Sequence, residues 1–90
     1  MQIAFRVQGA VQGVGYRRFA AREAQALALA GWVWNEPDGS VAGEAEGPEA
    51  ALATFRARLA EGPPFAAVAR LDWKALDMRS SLPFPFEIHR

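Results

Sequence analysis

The sequence predicts an α+β fold: a four-stranded antiparallel sheet plus a short fifth strand, with two helices packed on one face. Three observations predict it. Segments of strand-like, alternating hydrophobicity are interleaved with two longer segments of helical period. Glycine and proline separate each segment from the next. The order reads strand, helix, strand, strand, helix, strand, which is two βαβ halves in succession.

From Gln2 to Gln8, the residues Ile3, Phe5 and Val7 take alternate positions, the pattern of a half-buried strand. Gly9, Gly13 and Gly15 then punctuate a loop. Between about Tyr16 and Ala30 the chain is rich in good helix formers, with Tyr16, Ala20, Ala24 and Leu27 at helical spacing. Gly31 is the expected C-terminal stop of that helix. Trp32 to Glu36 reads as a second strand and Val41 to Glu46 as a third. Between them Pro37-Asp38-Gly39-Ser40 makes a turn, because proline presets one dihedral and glycine accepts a positive one. Pro48 suits the first position of a second helix whose apolar stripe is Leu52, Phe55 and Leu59, ended by Gly62-Pro63-Pro64. Val68 to Leu76 forms a fourth strand, and Phe84 to His89 a short last one after the Leu82-Pro83 break. No linker, repeat or low-complexity segment interrupts residues 1–90, so they read as one domain of the ferredoxin-like βαββαβ sandwich type.

Composition removes several classes of function. Ten basic residues balance ten acidic ones, so nothing draws the chain at long range to nucleic acid or to anionic lipid. No apolar run approaches the roughly 18–20 residues that span a membrane, and no signal-peptide pattern opens the chain. The absence of cysteine excludes disulfides, thiolate metal sites and thiol nucleophiles. A cytoplasmic protein with neither a membrane nor a nucleic-acid partner is the default expectation.

The most informative stretch runs from Val7 to Arg18, where the first strand meets the first helix. Three glycines between Gly9 and Gly15 let the backbone curl so that successive N–H groups turn inward as a nest for an anion. The following helix presents free N–H groups and its positive end to the same spot. Arg17 and Arg18 fall in the first helical turn, where a cation opposes the helix dipole at a cost of about 0.3–1 kcal/mol. A bound phosphate would offset that cost, and the planar arginine fork grips two phosphate oxygens at once. A tight glycine turn followed by two solvated arginines is the alternative, and the loop alone leaves both open. Neither a dinucleotide fingerprint nor a Walker-type P-loop is present, since Arg18 stands at the third glycine position and no Gly-Lys-Ser/Thr follows.

Asn35 is out of place in a strand of tryptophan and valine. Alternation puts it on the face of Val33, opposite Trp32 and Trp34. Either it begins the Pro37-Asp38-Gly39 turn, or its amide holds a water molecule. Spacing does not choose between them.

The remaining candidates are weaker. His89, the lone histidine, stands next to the last residue and reads as a surface residue. Asp38, Asp72, Asp77 and the glutamates show no metal-ligand spacing. Glu44 and Glu46 alternate on a strand and are expected to face solvent. Trp32, Trp34, Trp73, Phe84 and Phe86 read as core or sheet-face packing rather than as a base-stacking platform.

Two segments resemble the motifs of the acylphosphatase family. The first is Val7-Gln8-Gly9-Ala10-Val11-Gln12-Gly13-Val14-Gly15-Tyr16-Arg17. The second is Gly31-Trp32-Val33-Trp34-Asn35, followed by Gly39-Ser40-Val41 and Gly47. The departures are Tyr16 for the usual phenylalanine, Ala10 at an often basic position, and Trp34 where a long or basic side chain is common. The likeness extends over the whole strand–helix pattern. It implies a small monomeric enzyme that hydrolyses acyl phosphates to carboxylate and inorganic phosphate. Arg17 would bind the phosphoryl group and Asn35 position the attacking water. The backbone of Gln12, Gly13, Val14, Gly15 and Tyr16, within the Gly9–Tyr16 loop, would cradle the phosphate oxygens. The substrate would be a small-molecule acyl phosphate, with inorganic phosphate as product and inhibitor and no metal or cofactor. A carboxylate departs without protonation, so positioning and charge stabilisation suffice. A non-catalytic module keeping the same cradle for a phosphorylated ligand is the alternative.

Overall fold

A computed structural model describes residues 1–77 and 80–90. The elements are β1 (Gln2–Ala10), α1 (Tyr16–Ala26), β2 (Ala30–Asn35), β3 (Val41–Glu46), α2 (Glu49–Glu61), β4 (Ala67–Leu76) and β5 (Glu87–Ile88). The sheet runs in the order β4-β1-β3-β2-β5. Its first four strands are antiparallel neighbours, and β5 lies parallel to β2 through Trp32↔Glu87 and Val33↔Ile88.

Ile3, Phe5 and Val7 of β1 are buried on one face, against Leu52, Phe55 and Leu59 of α2 and Ala20, Ala21 and Ala24 of α1. Phe55 joins the layers: the Phe5 ring meets it edge-on at 5.7 Å and the Phe86 ring at 5.8 Å. Each large side chain buried in this way is worth about 1.5–3 kcal/mol. The other face carries neither of the described helices and displays Ala4, Arg6, Trp32, Ala42, Glu44 and Lys74. No described helix is long and apolar enough to cross a membrane.

Several local expectations are corrected. Helix α1 stops at Ala26 rather than near Ala30, and Gly31 does not stop it. Instead the Ala28 amide bonds the Gln25 carbonyl at 3.0 Å and the Leu29 amide bonds the Ala24 carbonyl at 3.0 Å. This is a Schellman closure with Ala28, at φ 56°, in the left-handed position that glycine normally fills. Gly31 lies inside β2 at φ 145°, where an added Cβ would stand 2.1 Å from the Glu44 carbonyl oxygen and 2.7 Å from the Phe86 ring. Its N–H is bonded by the Pro83 carbonyl at 2.8 Å. Strand periodicity carries no signal for such a close crossing.

Pro48 is the N-cap of α2, one residue before the first helical position. The last strand has only two residues, because Phe84 is 68% exposed while Phe86 turns into the core. Glu46 does not simply face solvent: it is half-buried, and its Oε1 accepts the Leu82 amide at 3.2 Å.

Candidate functional site

At the end of the sheet where β1 runs out, the loop 11–15 folds over the top of the core. Val11 is buried and Val14 packs against the same cluster, so two apolar anchors hold the loop down. Between and after them Gly13 and Gly15 both take φ 78°, a left-handed conformation that disfavours any residue with a Cβ. Glycine therefore lets the chain reverse twice in three residues without lifting either valine out.

Gly15 is the N-cap of α1, with no side-chain cap and no acidic residue in the first turn. Among the described residues, no N–H from Gln12 to Arg18 has a backbone acceptor in full hydrogen-bond geometry. The helix thus begins on uncommitted donors with its positive end unopposed.

A pocket of about 280 Å³ opens on this junction, lined by Val11, Gly13, Gly15, Tyr16, Arg17, Arg18, Asn35, Ile88 and Arg90. Arg17 and Asn35, from different elements, therefore face one cavity. Arg17 is half-buried and its Nη1 donates to the His89 carbonyl at 3.0 Å. Neither Arg17 nor Arg18 pairs with a carboxylate among the described residues. On the open face of the sheet, by contrast, Arg6 lies 3.4 Å from Asp38 and Arg70 2.8 Å from Asp72. Among the described residues, the loop–helix junction holds arginines without a carboxylate beside an uncapped helix start.

The two readings of Asn35 separate here. The turn after β2 is closed by Asp38, whose Oδ1 accepts the Ser40 amide at 2.9 Å and the Ser40 hydroxyl at 2.6 Å. Those two bonds from Ser40, aided by Arg6, hold the Asp38 carboxyl below its ordinary range. Asn35 is the last residue of β2, paired with Val41, and its amide makes no hydrogen bond among the described residues. The turn does not use it, and it stays free at the pocket wall.

Tyr16 is buried, and its hydroxyl donates to the Leu59 carbonyl near the end of α2. Burial pushes this phenol above its ordinary value. The departure from phenylalanine thus ties one helix to the other. Gln12 has a role that backbone reasoning missed: its Nε2 donates to the Glu36 carbonyl at 2.8 Å and the Ser40 carbonyl at 2.9 Å. Ile88 and Arg90 were also missed as pocket lining, since nothing local to the last strand says that it ends beside Arg17. Ala10 and Trp34 do not line the pocket; the Trp34 ring nitrogen donates to Glu36 at 2.8 Å. No group of three or more His, Cys, Asp or Glu side chains able to hold a metal occurs among the described residues.

Comparison of the whole chain with known proteins shows its family. The acylphosphatase family model matches residues 3–88. An acylphosphatase of Synechococcus sp. (strain RCC307) is 53% identical over 68 residues, which are 76% of this chain and 58% of that protein. One from Salinibacter ruber is 48% identical over 71 residues, 79% of this chain and 75% of that one. The crystal structure of acylphosphatase from Bacillus subtilis superimposes with a TM-score of 0.90 at 39% identity, covering 99% of this chain and 98% of the other.

Proposed function

The chain belongs to the acylphosphatase family, and on that premise we propose that it hydrolyses acyl phosphates to carboxylate and inorganic phosphate through the pocket between α1 and β2. The observation that carries the assignment is the convergence of three elements on one cavity. These are the uncommitted amides of Gly13, Gly15, Tyr16, Arg17 and Arg18, the half-buried Arg17 side chain and the unbonded amide of Asn35; Gln12 and Val14, also expected in the cradle, do not line the cavity.

The phosphoryl oxygens sit in the loop, where N–H groups and the helix dipole receive negative charge. Arg17 adds a forked cation that grips two oxygens. Asn35, on the adjoining wall, accepts from and donates to a water and aims it in line with the departing carboxylate. As the phosphorus–carboxylate bond breaks, the electron pair leaves on the carboxylate, which needs no proton. The water oxygen bonds phosphorus and sheds its proton to the phosphate product or to solvent. Such a loose transition state needs positioning and charge stabilisation more than covalent catalysis.

In this reading residues 1–90 act as one monomeric cytoplasmic domain on a small-molecule acyl phosphate, with inorganic phosphate as a competing product and without metal or nucleic acid. The even charge balance supports the last point. Hydrolysis of acetyl phosphate and benzoyl phosphate in excess chelator tests the assignment. Turnover that survives the chelator and falls about 10²–10³-fold in Arg17→Ala and in Asn35→Ala, at unchanged circular dichroism, is the expected result. Phosphate binding without turnover by the wild-type chain would reduce the site to a binding module.

A further inference from the structure

Arg17 has an unusual partner for a half-buried cation: a neutral backbone carbonyl, that of His89, at 3.0 Å. A free arginine side chain samples many rotamers, and that freedom must be lost each time it closes on a ligand. Fixing it beforehand with a carboxylate would place a competing anion in the phosphate site. A carbonyl fixes it while leaving the full charge, and its remaining N–H donors, for the incoming phosphoryl group. The value of this arrangement depends on how firmly the carbonyl is held.

Three contacts hold it. The His89 amide donates to the Val33 carbonyl at 2.8 Å, extending the pairing of β5 with β2 by one bond. The His89 ring lies flat on Trp32, with centroids 5.5 Å apart and planes 1° from parallel. Its Nε2 lies 3.0 Å from Glu87 Oε1. Trp32 does not line the phosphate pocket and belongs to the opposite, open face of the sheet. His89 links it to Arg17, stacked on the one and bonded to the other.

We propose that the stacked pair Trp32–His89 is a positioning clamp, which fixes the His89 carbonyl and through it the Arg17 guanidinium for phosphoryl capture. Trp32 and His89 are positioning residues, and the imidazole takes no part in proton transfer. The proposal rests on the assignment of Arg17 to the phosphoryl group.

Wild-type, Trp32→Ala, Trp32→Phe, His89→Ala, His89→Phe and the Trp32→Ala/His89→Ala pair are compared for benzoyl phosphate kinetics and for inorganic phosphate binding by calorimetry. Loss of the clamp should raise the phosphate dissociation constant and KM and lower kcat, reducing kcat/KM roughly 10-fold, since small misplacements of a binding group cost up to about 10²-fold. Either flat-ring replacement, Trp32→Phe or His89→Phe, should recover most of the loss, because only stacking and the backbone carbonyl are needed. The double variant should be no worse than the poorer single one. His89→Ala, at an exposed position, keeps the test available should Trp32→Ala fold poorly. Wild-type phosphate affinity and kcat/KM in a folded His89→Ala or Trp32→Ala variant would overturn the clamp. So would failure of His89→Phe to recover activity. Absence of turnover by the wild-type chain would instead strike the assignment of function itself.

Discussion

The Gln12 side-chain amide bonds the Glu36 carbonyl at 2.8 Å, fastening the loop before α1 to the residue that follows Asn35. A second bond from the same nitrogen, to Ser40 at 2.9 Å, crosses to the far side of the turn. The two sides of the pocket come from separate stretches of chain, and this amide bridges them.

Replacing Gln12 by alanine should therefore separate the loop before α1 from the Asn35 amide while leaving the core intact. The Glu36 and Ser40 carbonyls keep a backbone partner each, from the Gly39 amide at 3.2 Å and the Glu36 amide at 2.8 Å. The stability cost is accordingly small, about 1 kcal/mol. The kcat value should fall roughly 10-fold or more through misalignment. Steady-state kinetics beside urea unfolding of the same variant will show whether the loss is catalytic rather than structural.

Tyr16→Phe should act in the opposite sense. It removes the donor to Leu59 and leaves a helix-end carbonyl without that partner, which costs about 1–2 kcal/mol and leaves the backbone cradle in place. Stability should drop with little change in kcat. Burial raises the phenol above its ordinary value, so its contribution is complete below about pH 10 and is lost as pH climbs through the higher folded-state value. The wild-type chain should show this alkaline loss in unfolding curves taken against pH, and Tyr16→Phe should lack it.

Ala28→Gly should stabilise the protein. Ala28 holds φ 56° in the Schellman closure of α1, where a Cβ is unfavourable. Relief of that strain, less the greater entropy of glycine when unfolded, should yield about 0.5–1 kcal/mol and a higher melting temperature by calorimetry. Gly31→Ala should do the reverse. Its new Cβ would meet the Glu44 carbonyl at 2.1 Å, so the variant should lose at least about 2–3 kcal/mol or fail to accumulate folded.

Much of this was legible in the chain. Ile3-Phe5-Val7 and Leu52-Phe55-Leu59 are unambiguous in period and lie where the core needs them. The loop, Arg17 and Asn35 stood out by being costly where they are: three glycines within seven residues, a cation at a positive helix end, an amide in an apolar strand. What stayed hidden was long-range. Gly31 reads as a helix stop because its true reason, the approach of Glu44 and Phe86, involves residues 13 and 55 positions away. Ala28 ends the helix without any helix-ending residue type, because tertiary packing of Leu29 overrides local preference. The side-chain roles of Gln12 and His89 depend on contacts 24 to 72 positions distant, which no local pattern encodes.

The central claim is that bare amides at the start of α1 and one guanidinium together hold a phosphoryl group. Amide chemical shifts followed during titration with inorganic phosphate test it most directly. The largest shifts should fall on Gly13, Val14, Gly15, Tyr16 and Arg17, saturating at one site and weakening strongly in Arg17→Ala. Shifts centred elsewhere, or an Arg17→Ala titration indistinguishable from wild type, would contradict it.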